Sequence, residues 1–191
     1  MIAAIDVDYS DSAGARTAAV IFADFEDSKP YAEYRIDLRH IAPYVPGEFY
    51  RRELPCILEL LSQIKEKIDT VIIDGYVSLG ERPGLGMHLS QAMNHSVTVI
   101  GVAKSKFEGS DPKEVIRGNS KNPLYVTSYG IDSDVAAQKI QSMHGPYRIP
   151  TLLKRVDRLS KWNAQPDSPA NRSQPNRSEQ DFASSSTGSV R

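Results

Sequence analysis

Acidic and basic side chains from four separate stretches of the chain belong to types that together can act on a phosphodiester. "IDVDYS" carries Asp6 and Asp8, "RRELP" carries Glu53, "VIIDG" ends on Asp74 and Gly75, and "VTVIGVAK" ends on Lys104. Two or three carboxylates brought close together cannot all ionise comfortably without a cation among them. Mg²⁺ suits such a group because it takes hard oxygen ligands and keeps waters for chemistry. One or two such ions generate a nucleophilic water and stabilise the leaving oxygen of a phosphodiester. Lys104, at a strand end, adds a cation above the same edge. Asp6 and Asp8 occupy alternate positions of one strand and share a face, so periodicity leaves both open as the first carboxylate. Each acid also has an ordinary use as a turn, cap or first-turn helix residue.

Convergence of these residues requires a sheet in which the first and fourth strands are neighbours. "MIAAIDVDY", "RTAAVIFADF" and "PYAEYRIDL" read as three strands joined by short connections, an antiparallel meander. The period then changes: Ile57, Leu58, Leu61, Ile64 and Ile68 recur at helical spacing in "LPCILELLSQIKEKI". "TVIIDG" and "VTVIGVA" are nearly continuous apolar runs of the kind found in buried parallel strands. "GLGMHLSQAMN" reads as a helix and "PLYVTSYG" as a strand. "SDVAAQKIQSM", with Ser133 as N-cap, and "PTLLKRVDRLSKW" read as closing helices. The order predicts an α/β, RNase H-like mixed sheet with flanking helices; the actin-like half-domain of sugar kinases has a similar order. "YSDSAGA" is a poor version of that fold's phosphate turn.

Composition narrows the classes. The 191 residues carry a formal net charge of −1, so no global basic field announces nucleic acid, although Arg51-Arg52 and "VAKSKFEG" are locally basic. Cys56 is the sole cysteine, which excludes an intrachain disulfide and a cysteine-based zinc site. His40, His88, His95 and His144 lack metal-binding spacing. No run approaches the ~20 apolar residues of a membrane span, and the start does not read as a signal peptide, so a cytoplasmic protein without membrane contact is expected. Residues 163–191, rich in Ser, Pro, Asn and Gln, are expected to be a disordered tail behind a nuclease-like domain over 1–162.

"APYVPGEFYRRELP" is a further signal, because two prolines stiffen the turn that presents Tyr44-Val45. Taken in order, "IDVDYS", this turn, "VIIDG", "RPGLGMHL", "VIGVAKSKFEG", "PLYVTSYG" and "RVDRLSKW" resemble endonuclease V, over Ile5 to about Trp162. The resemblance implies a Mg²⁺-dependent nuclease, with Mn²⁺ as the alternative ion. It acts on DNA or RNA containing a deaminated purine, principally inosine. Cleavage is implied at the second phosphodiester 3′ to the lesion, leaving 3′-hydroxyl and 5′-phosphate ends. By motif position the metal ligands would be Asp6, Glu53 and Asp74, with Asp157 as a further candidate and Lys104 as the lysine beside the phosphate. Tyr44, Val45 and Pro46 would form a wedge that holds the duplex open where the base is extruded. Gly75, Gly84 and Leu85 would line the base pocket. A monomer is expected. The other reading is a non-catalytic nucleic-acid-binding protein on the same fold.

Two departures accompany the resemblance. Family members carry a helical extension before the first strand, where this sequence has only Met1. After the strand-end Asp-Gly they carry a His/Gly-rich segment ending in His-Pro-Arg, where this chain reads "YVSLGER". Tyr76 thus replaces a polar residue, and Gly80-Glu81 replace the His-Pro before Arg82.

Overall fold

The computed structural model describes residues 1–162 apart from Asp11, His40 and Tyr44, so the expected tail lies outside the described residues. The meander forms as read: β1 (Ile2–Ser10), β2 (Gly14–Phe22) and β3 (Ala32–Leu38). There follow α1 (Tyr50–Gln63), β4 (Thr70–Asp74), a small hairpin of β5 (Ser78–Leu79) and β6 (Arg82–Pro83), and α2 (Leu85–Ala92). The chain continues through β7 (Thr98–Ala103), β8 (Lys113–Val115), β9 (Leu124–Tyr129), α3 (Ser133–Ser142) and α4 (Thr151–Ser160). Seven strands form one mixed sheet in the order β3-β2-β1-β4-β7-β9-β8. β1 runs antiparallel to β2 but parallel to β4, and β4 is parallel to β7.

Alternation along the central strands builds two cores. Ala4, Val20, Ile72, Ile100 and Val126 face α3 and α4, meeting Ile140, Leu152 and Val156. Ala3, Ile5, Ile21, Ile73 and Val99 face α1 and α2, meeting Ile57, Leu60 and Leu89. β4 and β7 lie inside the sheet with helices on both sides, which is why their sequences are apolar at nearly every position.

Two local readings are corrected, and three short strands were not foreseen. The first long helix starts at Tyr50 and stops at Gln63, instead of running from Leu54 to Ile68. Its last expected turn is drawn off by Tyr34, whose hydroxyl donates to Glu66 Oε2 at 2.8 Å and accepts from Lys65 N at 3.4 Å. Ile64 and Ile68 still pack against the second core, so their apolar spacing reflected burial without helix. The N-cap of α3 is Asp132 and not Ser133, its Oδ1 accepting from the amides of Asp134 and Val135. The strands β5, β6 and β8 are too short to leave a periodic signature.

The segment after β4 is clamped against β7. Gly75 N donates to Val102 O at 3.2 Å, and Val77 N donates to Thr127 Oγ1 at 2.8 Å. A Cβ on Gly101 would stand 2.5 Å from Gly75 O and 2.9 Å from Val77 N, so only glycine lets that backbone lie so close. Gly101→Ala should therefore push residues 75–77 away and destabilise the protein by about 1–3 kcal/mol, measured by urea denaturation. Unchanged stability would show that the clamp yields freely.

Candidate active site

In the parallel pairing of β1 and β4, Ile5 stands opposite Ile73. Asp6 and Asp74 each follow that pair by one residue, so the sheet brings them to the same edge. Lys104 follows the end of β7, the other neighbour of β4, and its Nζ lies 2.7 Å from Asp74 Oδ2. The same ammonium lies 3.5 Å from Asp157 Oδ1 on α4. Asp6, Asp74, Lys104 and Asp157 all line one cavity.

Ser160 had no place among the sequence-based candidates, yet it holds Asp6. Its Oγ donates to Asp6 Oδ2 at 2.5 Å. The available signal was positional: Leu152, Val156 and Ser160 recur every fourth residue, which puts a hydroxyl on the buried stripe of α4. Asp8, the alternative left open by periodicity, turns to Lys161 Nζ at 3.1 Å.

Glu53 arrives from the first turn of α1 and is buried, with 7% of its surface exposed. Among the described residues its carboxylate accepts no hydrogen bond. Burial first, then the charges of Asp6 and Asp74, push its pKa up to about 8 against the opposing pull of Arg52. Burial also raises Asp6; the Ser160 hydrogen bond opposes this, while Asp74 and Asp157 reinforce it. Burial works against the Lys104 ammonium, but its hydrogen bond to Asp74 and the charges of Asp74, Asp157 and Asp6 outweigh that and raise its pKa. Arg52 lies over the Tyr9 ring at 3.9 Å, and the buried Tyr9 hydroxyl has no hydrogen-bond partner among the described residues.

The donor set fits a hard divalent cation in kind: all are carboxylate oxygens, and burial and neighbouring negative charge raise the proton affinity of two of them, Asp6 and Glu53. It is grouped without being closed. Among the described residues no three His, Cys, Asp or Glu side chains stand close enough to grip a single ion. In the cation-free protein the Lys104 ammonium is the positive charge nearest Asp74.

The other sequence-based candidates lie around this edge. Val45 and Pro46 are exposed in the turn before α1, and Tyr44 falls outside the described residues. Gly75 follows Asp74 directly with φ +143°, and no atom stands within 4 Å of where a Cβ would be. Gly84 precedes α2 with its N–H on Val77 O at 2.9 Å, and Leu85 packs into the α1/α2 core. Tyr76 fastens the neighbouring loop. Its hydroxyl donates to Ser105 O at 2.8 Å and accepts from Phe107 N at 2.9 Å. His88 stacks on Tyr50 with ring centroids 3.7 Å apart, away from the carboxylates' hydrogen bonds.

The raised pKa of Glu53 has a consequence for stability. Between its ordinary 4.5 and about 8, the native cation-free protein binds a proton that the unfolded chain has released. Stability is therefore fully present below the lower value and falls as pH rises through the higher one. Glu53→Gln should flatten that fall, with Asp6 retaining part of it. It should also exceed the parent in stability near the upper value by on the order of a few kcal/mol. Denaturation in chelator across this range measures both; identical pH slopes would contradict the burial argument.

Comparison with known proteins adds family and fold. The Endonuclease V family model matches residues 1–127. Endonuclease V of Azotobacter vinelandii is 31% identical over 186 residues, covering 86% of this chain and 83% of that protein. The Trichormus variabilis enzyme is 27% identical over 182 residues, covering 83% and 81%. Among solved structures, Streptomyces avermitilis Endonuclease V superposes with a TM-score of 0.68 at 27% identity, covering 83% of this chain and 78% of that one. Ciona intestinalis Endonuclease V, in complex with a 24mer DNA containing an inosine followed by a ribo-adenosine, gives 0.69 at 20% identity, covering 83% of each. The fold is thus the RNase H-like one expected from the element order. With two parallel strands delivering Asp6 and Asp74 to one edge and the family model spanning that entire region, the chain belongs to the endonuclease V family.

Proposed function

We propose that the chain is a divalent-cation-dependent endonuclease acting on DNA or RNA that contains a deaminated purine, inosine in particular. It hydrolyses the second phosphodiester on the 3′ side of the lesion and leaves 3′-hydroxyl and 5′-phosphate ends. The observation that carries this reading is the grouping of Asp6, Glu53 and Asp74 beside Lys104, with burial and neighbouring carboxylates raising the proton affinity of the first two. Such a grouping is costly for a scaffold and useful to a cation. Family membership supports the same reading.

In this reading Asp6, Glu53 and Asp74 hold the ion, with Asp157 adjoining; Mg²⁺ is the expected ion and Mn²⁺ the alternative. The chemistry such an ion supplies is activation of water and neutralisation of charge on the leaving oxygen. Ser160 fixes the rotamer of Asp6. Lys104 has three donors and spends two directions on Asp74 and Asp157. Its side chain is half exposed, leaving it able to orient a phosphate oxygen. Tyr44, Val45 and Pro46 act as the wedge, Pro46 limiting the freedom lost on insertion. Gly75, with open space beside its backbone, Gly84 and Leu85 flank the extruded base.

A second reading, a nucleic-acid-binding protein that does not cut, is favoured by one observation. The carboxylates are not closed around a common point, and Tyr76 ties down the loop where the family's histidine-bearing segment runs. Calorimetric titration with Mg²⁺ and Mn²⁺ separates the two, since a binder has no need of the ion.

A labelled inosine-containing strand, as DNA and as RNA, should be incised with Mg²⁺ or Mn²⁺; no incision by folded protein with either ion defeats the nuclease reading. Asp74→Asn should abolish cutting and spare lesion binding, and Lys104→Ala should slow cutting by roughly 100-fold. Parent-like rates in either variant would remove that residue from the site. Tyr44→Ala should weaken binding to an inosine-containing duplex by about 1–3 kcal/mol, read by fluorescence anisotropy. Unchanged affinity would return the turn to a purely architectural role.

A further inference from the structure

The base pocket proposed above lies on the α1/α2 side of the sheet, where Leu85 packs. On the α3/α4 side lies a cavity of about 810 Å³, within the range of small-molecule sites. Its floor is apolar, built by Ile72, Val102, Leu124 and Leu153, and one edge is the Asp6, Asp74, Lys104, Asp157 group itself. Tyr147, 67% exposed, also lines it, with Lys154 Nζ 5.6 Å from its ring centroid.

The wall carrying Tyr147 is held from within. Arg117 is buried, and its guanidinium donates to the carbonyls of Gln141, Met143, Gly145, Tyr147 and Arg148. Arg148 in turn donates to Lys104 O at 2.5 Å and Pro123 O at 2.7 Å. The wall that carries Tyr147 and the backbone of Lys104 are therefore parts of one hydrogen-bonded frame. A cavity with an apolar floor, an exposed aromatic ring and two ammonium groups, Lys104 and Lys154, in its lining matches a heterocyclic base with its flanking phosphates.

We propose that this cavity is a second base pocket, which holds a nucleobase of the cleaved strand on the far side of the scissile phosphate from the lesion. The proposal rests on the nuclease reading. With the lesion on the α1/α2 face and a second base on the α3/α4 face, the strand crosses the carboxylate edge between two anchored points. The separation of those points then sets which phosphate meets Lys104, giving a ruler for a cut displaced from the lesion.

The test is a set of inosine-containing strands in which each nucleotide beyond the cut is replaced in turn by an abasic tetrahydrofuran. A parallel set carries 2-aminopurine at the same positions. For the parent, one abasic position should lower kcat/KM by roughly 10-fold. At that same position 2-aminopurine fluorescence should change on binding. Tyr147→Ala, at an exposed side chain, should lose most of both effects. Leu153→Trp, which fills the floor, should cut the intact strand as poorly as the parent cuts the abasic one. Equal cutting of all abasic strands by the parent, or fluorescence that Tyr147→Ala leaves unchanged, overturns the pocket. If the intact strand is bound and not cut, the nuclease reading fails, while the fluorescence set still decides the pocket.

Discussion

Repulsion among acids that the fold shields from water is the constraint around which the rest of this structure is organised. Asp6 and Glu53 are drawn from a strand and a helix into a region where burial raises the proton affinity of both, Asp6 adds to that of Glu53, and Asp74 adds to both. Left alone, such a group favours separation or protonation. The protein answers with neighbours that permit approach: Ser160 donates to Asp6, Lys104 neutralises Asp74, and Arg52 opposes the negative field at Glu53. None of these removes the imbalance, and the half-exposed Lys104 leaves the edge able to accept a cation and a phosphate together.

The scaffold serves this edge through close backbone contacts. Gly101 lets β7 approach the segment following Asp74, and Thr127 on β9 accepts the amide of Val77. On the other side, Arg148 holds the carbonyl of Lys104 itself. The lysine is thus fixed at its backbone by one arginine and at its ammonium by two carboxylates, while Arg117 fastens the segment from which Arg148 projects. Rigid support of this kind is what a site requires when its geometry sets a rate.

Within the family pattern, the divergence after Asp74 has a physical counterpart. Tyr76 bridges to Ser105 and Phe107, joining the loop after β4 to the loop after β7. This side chain is a structural tie, and its ring lies 6.2 Å from that of Phe107. The wall beside Gly75 is therefore aromatic and fastened to the loop after β7.

Periodicity in the sequence was enough to give the meander, the two buried parallel strands and the closing helices, because alternation and helical spacing are imposed by burial on one face. It also showed which acids end strands, and motif order assigned the family. It failed where local pattern and tertiary contact compete. Ile64 and Ile68 kept helical spacing but lie beyond the helix, where Tyr34 binds Lys65 and Glu66, and Asp132 outcompeted Ser133 for the cap. The choice between Asp6 and Asp8 lay beyond spacing because both share a face; the fold gives one to Ser160 and the other to Lys161. Ser160, Arg148 and the cavity on the α4 side depend on residues more than a hundred positions apart, or on two loops meeting, and no local pattern encodes such a meeting. The sequence determined which groups were available and at which end of which strand they stood. The tertiary structure decided which of them share a field, because charges interact through space and not along the chain.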